Sequence, residues 1–138
     1  MTTGDIGISD GSYPVDLDMS SSQFLAVQLG SDGYLDIASG APVLGILQDN
    51  PNGQLNKIVS PPGYKPDIGQ VRESGHTKLV VDNSNIVAGS AVKLGSSGQG
   101  ALSTSGADVI LGIAMETNNS TSRIIEVEIG RASCRERV

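Results

Sequence analysis

The chain has no tryptophan, one phenylalanine and three tyrosines among 138 residues. Its interior therefore has to be assembled from Val, Ile, Leu, Ala and Met, and the flat side chains on which bases or sugars stack are missing. It carries one cysteine and one histidine. A lone cysteine, Cys134, cannot form an intramolecular disulfide, and one Cys with one His cannot close a tetrahedral metal set. No apolar run is long enough to span a bilayer, and the polar start, Met1 to Asp10, lacks the basic and apolar regions of a signal peptide, so a membrane partner is not expected and synthesis in the cytosol is. Cations are scarce as well: the net charge is −6, and no Lys/Arg cluster offsets it before the last eight residues. Such a balance repels a phosphate backbone, and nucleic acid is not expected as a partner.

What is abundant is turn chemistry. Eighteen glycines, with many Ser and Asn, separate short apolar runs, and nothing reads as a long amphipathic helix. The length suits one domain. Candidate strands are Phe24–Leu29, Tyr34–Ala38, Val43–Leu47, Leu55–Val59, Ile68–Arg72, Thr77–Asp82, Ala91–Leu94, Val109–Met115 and Arg123–Glu128. In the last of these, Ile125 and Val127 alternate with Ile124, Glu126 and Glu128, the pattern of a half-buried strand. Ser31-Asp32-Gly33 and Ser96-Ser97-Gly98 supply hairpin turns. The expected class is all-β, a small β-barrel or β-sandwich.

An internal repeat sharpens that expectation. Ala26-Val-Gln-Leu-Gly-Ser-Asp-Gly33, Ser39-Gly40-Ala41 and Val43-Leu44-Gly45-Ile46 recur in order as Ala91-Val-Lys-Leu-Gly-Ser-Ser-Gly98, Ser105-Gly106-Ala107 and Ile110-Leu111-Gly112-Ile113. Two copies imply pseudo-repeated hairpin units on opposite sides of one core, because a three-strand unit cannot bury its apolar face alone. Gly45 and Gly112, inside strands, mark places where two backbones approach closely.

The flanks read differently. Residues 1–22 are rich in Thr, Gly, Asp and Ser and are expected to form an extended N-terminal arm. Its apolar anchors, Tyr13, Pro14, Val15, Leu17 and Met19 among them, sit in a segment too polar for a core of its own and would dock elsewhere. Residues 23–128 form the single β domain. Ser60-Pro-Pro-Gly-Tyr-Lys-Pro-Asp67 is too proline-rich for a central strand and is expected to project. Residues 129–138 change composition abruptly, bringing three arginines and the cysteine. The codons ATC GGA AGA GCG TCG TGT AGG GAA AGA GTG encode them and resemble a short-read sequencing adapter, so the segment reads as a translated artefact. Without it, 9 − 3 = 6 basic and 15 − 1 = 14 acidic residues leave a net of −8.

No reactive constellation emerges. His76 follows Ser74-Gly75 at an expected turn, and no Gly-x-Ser-x-Gly elbow places a nucleophile. Asp16 with Asp18, and Asp82-Asn83-Ser84-Asn85, offer oxygen ligands, but the second lacks the Gly and late Glu of a calcium loop and reads as an Asx turn. Gly95-Ser-Ser-Gly-Gln-Gly100 lacks the Lys-Ser/Thr and helix start of a phosphate loop, and its repeat partner reads as a hairpin. No catalytic residue, metal site or cofactor is assigned, and the chain is expected not to be an enzyme.

The whole succession is nonetheless familiar. A polar start, Phe24-Leu-Ala-Val, the Leu-Gly-Ile block, Gly75-x-Thr-Lys-Leu-Val-Val, Ile86-Val-Ala-Gly-Ser-Ala-Val-Lys-Leu, Val-Ile-Leu-Gly112-Ile-Ala-Met-Glu116 and a closing Ile-Ile-Glu-Val-Glu strand together resemble the capsid decoration, or cement, proteins of tailed bacteriophages over about residues 13 to 128. The resemblance implies a homo-oligomer, commonly a trimer, on the outside of the expanded head, with the major capsid protein as partner and capsid stabilisation as its task. Tyr13, Pro14, Val15, Leu17 and Met19 would then belong to a capsid-binding arm that adds a strand to a capsid subunit. Another virion component, such as a head fibre or tail protein, and a carbohydrate- or ligand-binding β-module are the alternatives.

Overall fold

The structure, a computed structural model, describes residues 9–40, 42–53, 67–82, 85–118 and 123–130. Side-chain alternation decides its longest element. From Asp67 to Val80 the buried positions are Gly69, Val71, Gly75, Thr77 and Leu79, with Ile68, Gln70, His76 and Lys78 exposed between them, the period of two that a pleated strand imposes. The sequence reading divided this stretch into two strands. The backbone instead runs on through Glu73–His76, and Gly75, at φ 104°, absorbs the local bend because it has no Cβ to clash.

Nine strands result: β1 (Ser9–Val15), β2 (Ala26–Leu29), β3 (Leu35–Ile37), β4 (Gly45–Leu47), β5 (Asp67–Val80), β6 (Ala91–Leu94), β7 (Gly100–Leu102), β8 (Ile110–Ala114) and β9 (Ile124–Ile129). They form one sheet in the order β3-β2-β4-β5-β9-β8-β6-β7, with β1 also on β5. Every strand pairing is antiparallel, so the protein is all-β. Among the described residues no helix is long and apolar enough to cross a membrane. The candidate strand Leu55–Val59 and most of the proline-rich insert lie outside the described residues.

The repeat proves larger than its sequence trace. Val27 pairs with Ile37 on one side and Gly45 on the other, and Val92 pairs in the same way with Leu102 and Gly112. Ile46 faces Arg72 as Ile113 faces Glu128. The Gly30 amide donates to the Tyr34 carbonyl at 2.8 Å as Gly95 donates to Gln99 at 2.7 Å, and Ala38 donates to Ala26 at 3.0 Å as Ser103 does to Ala91 at 3.1 Å. The correspondence continues into the long strand: Gly11–Val71 and Tyr13–Gly69 on β1 and β5 answer Thr77–Val127 and Leu79–Ile125 on β5 and β9. Each repeat is thus a five-strand unit, β3-β2-β4-β5-β1 and β7-β6-β8-β9-β5. The strand β5 is the last of the first unit and the first of the second.

Each unit rolls toward closure. In the second, the Asp82 amide donates to the Gly100 carbonyl at 2.9 Å beside a bridge between Val81 and Gly100. In the first, β3 packs on β1, and the side chains of Leu35, Leu47 and Val15 converge over Gly69. Two apolar clusters follow, where the sequence implied one core. Val15, Met19, Val27, Leu35, Leu47 and Val71 fill the first unit. Val81, Ile86, Val92, Leu111, Ala114, Ile125, Val127 and Ile129 fill the second, together with Ala26, Ala38 and Ile46 from the outside of the first. The strand β4 is buried on both faces: Ile46 points into one cluster and Leu47 into the other, each contributing roughly 2 to 3 kcal/mol of burial.

That sandwiching explains the two repeated glycines. A Cβ on Gly45 would run into the Arg72 carbonyl oxygen, and one on Gly112 into the Glu128 carbonyl oxygen, at equivalent places. Neither obstacle is the end of a flexible side chain, so the ladder itself would have to move. Gly45→Ala and Gly112→Ala are each expected to destabilise the fold by about 2 to 3 kcal/mol, as overpacking does. Urea denaturation checks this, and a loss below about 0.5 kcal/mol at both sites would count against the close approach.

Candidate interaction surface

The five residues expected in a docking arm begin on β1. Tyr13, Pro14 and Val15 end that strand, and Pro14, opposite Ile68, is tolerated because among the described residues β1 has a single ladder partner and a missing N–H goes unused there. Val15 is fully buried and Met19 nearly so, both in the first unit's own cluster. From Ser9 onward, then, the expected arm is part of the fold, since pairing with β5 supplies the burial that its polar sequence did not announce. Leu17 alone of the five stays largely open, 40% exposed.

Three side-chain pairs fasten β1 across the ladder. Arg72 donates from Nε and Nη2 to the Asp10 carboxylate at 2.8 and 3.1 Å, and from Nη1 to the His76 carbonyl at 2.9 Å. Gln70 donates to the Ser12 hydroxyl at 2.8 Å, and the Tyr13 hydroxyl donates to the Glu73 carboxylate. The Arg72 hydrogen bond holds the Asp10 carboxyl below its ordinary range against a small opposing effect of burial, and Asp10 raises Arg72 in return. The hydrogen bond to Glu73 pushes the Tyr13 phenol up.

Other polar groups hold loops. Asp108 accepts from the Ser103 hydroxyl and the Thr104 and Ser105 amides, each at 3.0 Å, with Lys93 at 3.8 Å; the backbone hydrogen bond from Thr104 leads in holding its carboxyl low. Asp36 is pushed up, first by burial and then by Asp32 and Asp16. Among the described residues no group of three or more His, Cys, Asp or Glu could hold a metal ion. His76 lies within β5 opposite Glu128, exposed, where the sequence placed it at a turn. Gly95–Gly100 closes the β6–β7 hairpin around Ser96–Gly98.

Two apolar features remain. A shallow cleft where the units meet is lined by Val43, Leu44, Ile46, Ile110, Leu111 and Ile129, with Glu73 the one charged side chain. It offers contact, and a single carboxylate supplies no acid and base pair. Ile68 and Ile124 are exposed at equivalent positions of the two ladders, and Leu17, Leu29, Val87 and Met115 are exposed elsewhere. Ile124 was visible in the alternation of the last strand. Ile68 opens the expected strand Ile68–Arg72, and its outward direction follows from the alternation with Gly69 and Val71.

The fold defines an all-β protein. No protein-family profile matches the chain, nor does any curated protein sequence. Among solved structures it resembles the N base of the head fibre gp8.5 of bacteriophage phi29, with a TM-score of 0.56 and 14% identity, covering 91% of this chain and 97% of that one. At that identity the likeness is one of fold.

The β1 fasteners set a pH signature. Asp10 has a lowered folded-state pKa, so its contribution is present above the ordinary carboxylate value of 3.8 and lost as pH falls through the folded value. Tyr13 is raised from 10.0, so its contribution is present below pH 10 and lost as pH climbs through the folded value. Asp10→Asn should flatten the acid limb of the stability profile, and Tyr13→Phe the alkaline limb. Thermal melts across pH would show it, and unchanged limbs in both variants would remove these pairs as fasteners.

Proposed function

We propose that this chain is a non-catalytic structural protein of a tailed-phage virion, sitting on the outside of the head and stabilising the capsid lattice through contacts with the major capsid protein. The single observation that supports this most is the fold shared along nearly its whole length with the base of a phage head fibre. The composition agrees. An acidic chain, −6 overall, is repelled by packaged DNA, and attachment by side-chain and backbone contacts needs no reacting group. The same likeness favours a second reading, in which the chain is itself the base of a head fibre. The two readings share a location and differ in what the attached protein does there: cement raises the stability of the shell, whereas a fibre base leaves it unchanged.

In either reading the attachment surface would draw on Leu17 and Ile68, two of the exposed apolar side chains of the first unit, in place of the buried Val15 and Met19. The protein would assemble as a trimer, which sedimentation equilibrium measures. Purified protein is expected to co-sediment with expanded heads from its own phage and to show no hydrolytic activity. Leu17→Asp combined with Ile68→Asp should leave the circular dichroism spectrum intact while weakening binding at least tenfold, about 1.4 kcal/mol. Head melting with and without bound protein separates cement from fibre base, and absence of co-sedimentation would remove both.

A further inference from the structure

Phe24 breaks the pseudo-symmetry at a place where the backbone keeps it. Its φ is +68°, a left-handed conformation that a bulky residue rarely adopts and that costs on the order of 1 to 2 kcal/mol. The equivalent residue of the second unit is Gly89, at φ +90°. The match is fixed by hydrogen bonds: the Phe24 amide donates to Leu47 at 2.7 Å and the Gly89 amide to Ala114 at 2.8 Å, and Leu47 and Ala114 occupy the same register against Val71 and Val127. Both units therefore need a left-handed residue two positions before β2 and its counterpart β6. The second meets the need with glycine, at a point where an added Cβ would find open space.

The first unit has the chain's one phenylalanine there, and Phe24 does two things across the junction. Its carbonyl accepts the Val80 amide at 2.9 Å, tying the first unit to the end of β5 that belongs to the second. Its ring packs against the cluster that holds Leu79 and Val81 of the second unit with Ala26 and Ile46 of the first. A neighbouring polar chain runs the same way: Gln23 donates to the Gln48 carbonyl at 2.9 Å, and Gln48 donates to the hydroxyl of the buried Thr77 at 2.8 Å.

We infer that Phe24 is a conformational latch: a residue held in a strained backbone geometry so that its carbonyl and ring together lock the orientation of the two five-strand units. The strain is maintained because the contacts it enables add to those through which the two bodies already meet: the shared β5, the Gln48–Thr77 hydrogen bond, and the packing of Ala26, Ala38 and Ile46 into the second unit's cluster. A glycine would satisfy the turn and leave the junction loose.

The test uses the full chain with Cys134→Ser, spin labels on Ser31→Cys and Ser105→Cys, and pulsed dipolar measurement of the distance between the two hairpin regions, both exposed. With Phe24 in place the distribution should be narrow and thermal unfolding should occur in one step. Phe24→Gly, which removes strain and ring together, should broaden the distribution and split unfolding into two steps. Phe24→Ala keeps the strain and loses the ring, so it should fold less favourably than Phe24→Gly by about fivefold in the equilibrium constant. Phe24→Leu retains apolar bulk and should stay narrow. Gly89→Ala should lower stability without moving the distribution, since it adds strain away from the junction. A narrow distribution with one-step unfolding in Phe24→Gly would overturn the latch, as would Phe24→Ala folding at least as well as Phe24→Gly.

Discussion

One strand carries the ladder hydrogen bonds of both halves. From Asp67 to about Ser74 it completes the first unit, and from Gly75 to Val80 it opens the second. Two free five-strand rolls would each have to end on exposed backbone groups, which a sheet edge offers to any passing chain. Fusing the last strand of one to the first of the next removes a pair of such ends and supplies each unit with a partner already in register. It also fixes what may sit between the units. With β5 continuous, β4 and β8 are brought against it and against β9 at equivalent places, and only glycine lets the carbonyls of Arg72 and Glu128 pass that closely.

Within that frame the two interiors are filled by opposite means. Leu35 of the first unit lies over Gly69. In the second unit the register puts Gly100 where Leu35 stands and Ile125 where Gly69 stands, and Leu79 and Val92 close over Gly100. A large residue and a small one have exchanged sides, which conserves volume and so preserves packing density. Identity is lost at both positions while the backbone is retained.

That exchange explains what could be read from the residues. The blocks Ala-Val-x-Leu-Gly and Leu-Gly-Ile recur in both copies, the second of them where β4 and β8 pass closest to a neighbouring backbone, so the hairpin units and their close-approach glycines were legible. The strands β1 and β7 were not. Ser9-Asp-Gly-Ser-Tyr-Pro-Val15 and Gly100-Ala-Leu102 have poor strand propensity, and their extended state comes from the partner ladder, the sort of tertiary override that defeats local pattern. Val15 and Met19 are buried in the first unit's own cluster, and the ladder that holds Val15 comes from β5, distant along the chain. The division of β5 failed because Glu73, Ser74 and Gly75 read as a turn, and a glycine at positive φ serves a bend inside a strand as well as it serves a turn.

The outer faces show how a symmetric frame becomes a directional object. At matched positions the first unit carries Asp10 with Arg72, Ser12 with Gln70 and Pro14 with Ile68, while the second carries His76 with Glu128, Lys78 with Glu126 and Val80 with Ile124. Cross-strand pairs are where a sheet sets its local chemistry. The first set is a run of hydrogen-bonded fasteners ending on Pro14 and Ile68; the second places Lys78 beside Glu126 and His76 beside Glu128 and ends on Val80 and Ile124. A partner that fitted one face would meet the wrong charges on the other, so the repeated backbone does not present two interchangeable surfaces. Specificity of that kind rests on mismatch as much as on fit. The two outer faces therefore differ in chemistry although the ladder beneath them is the same.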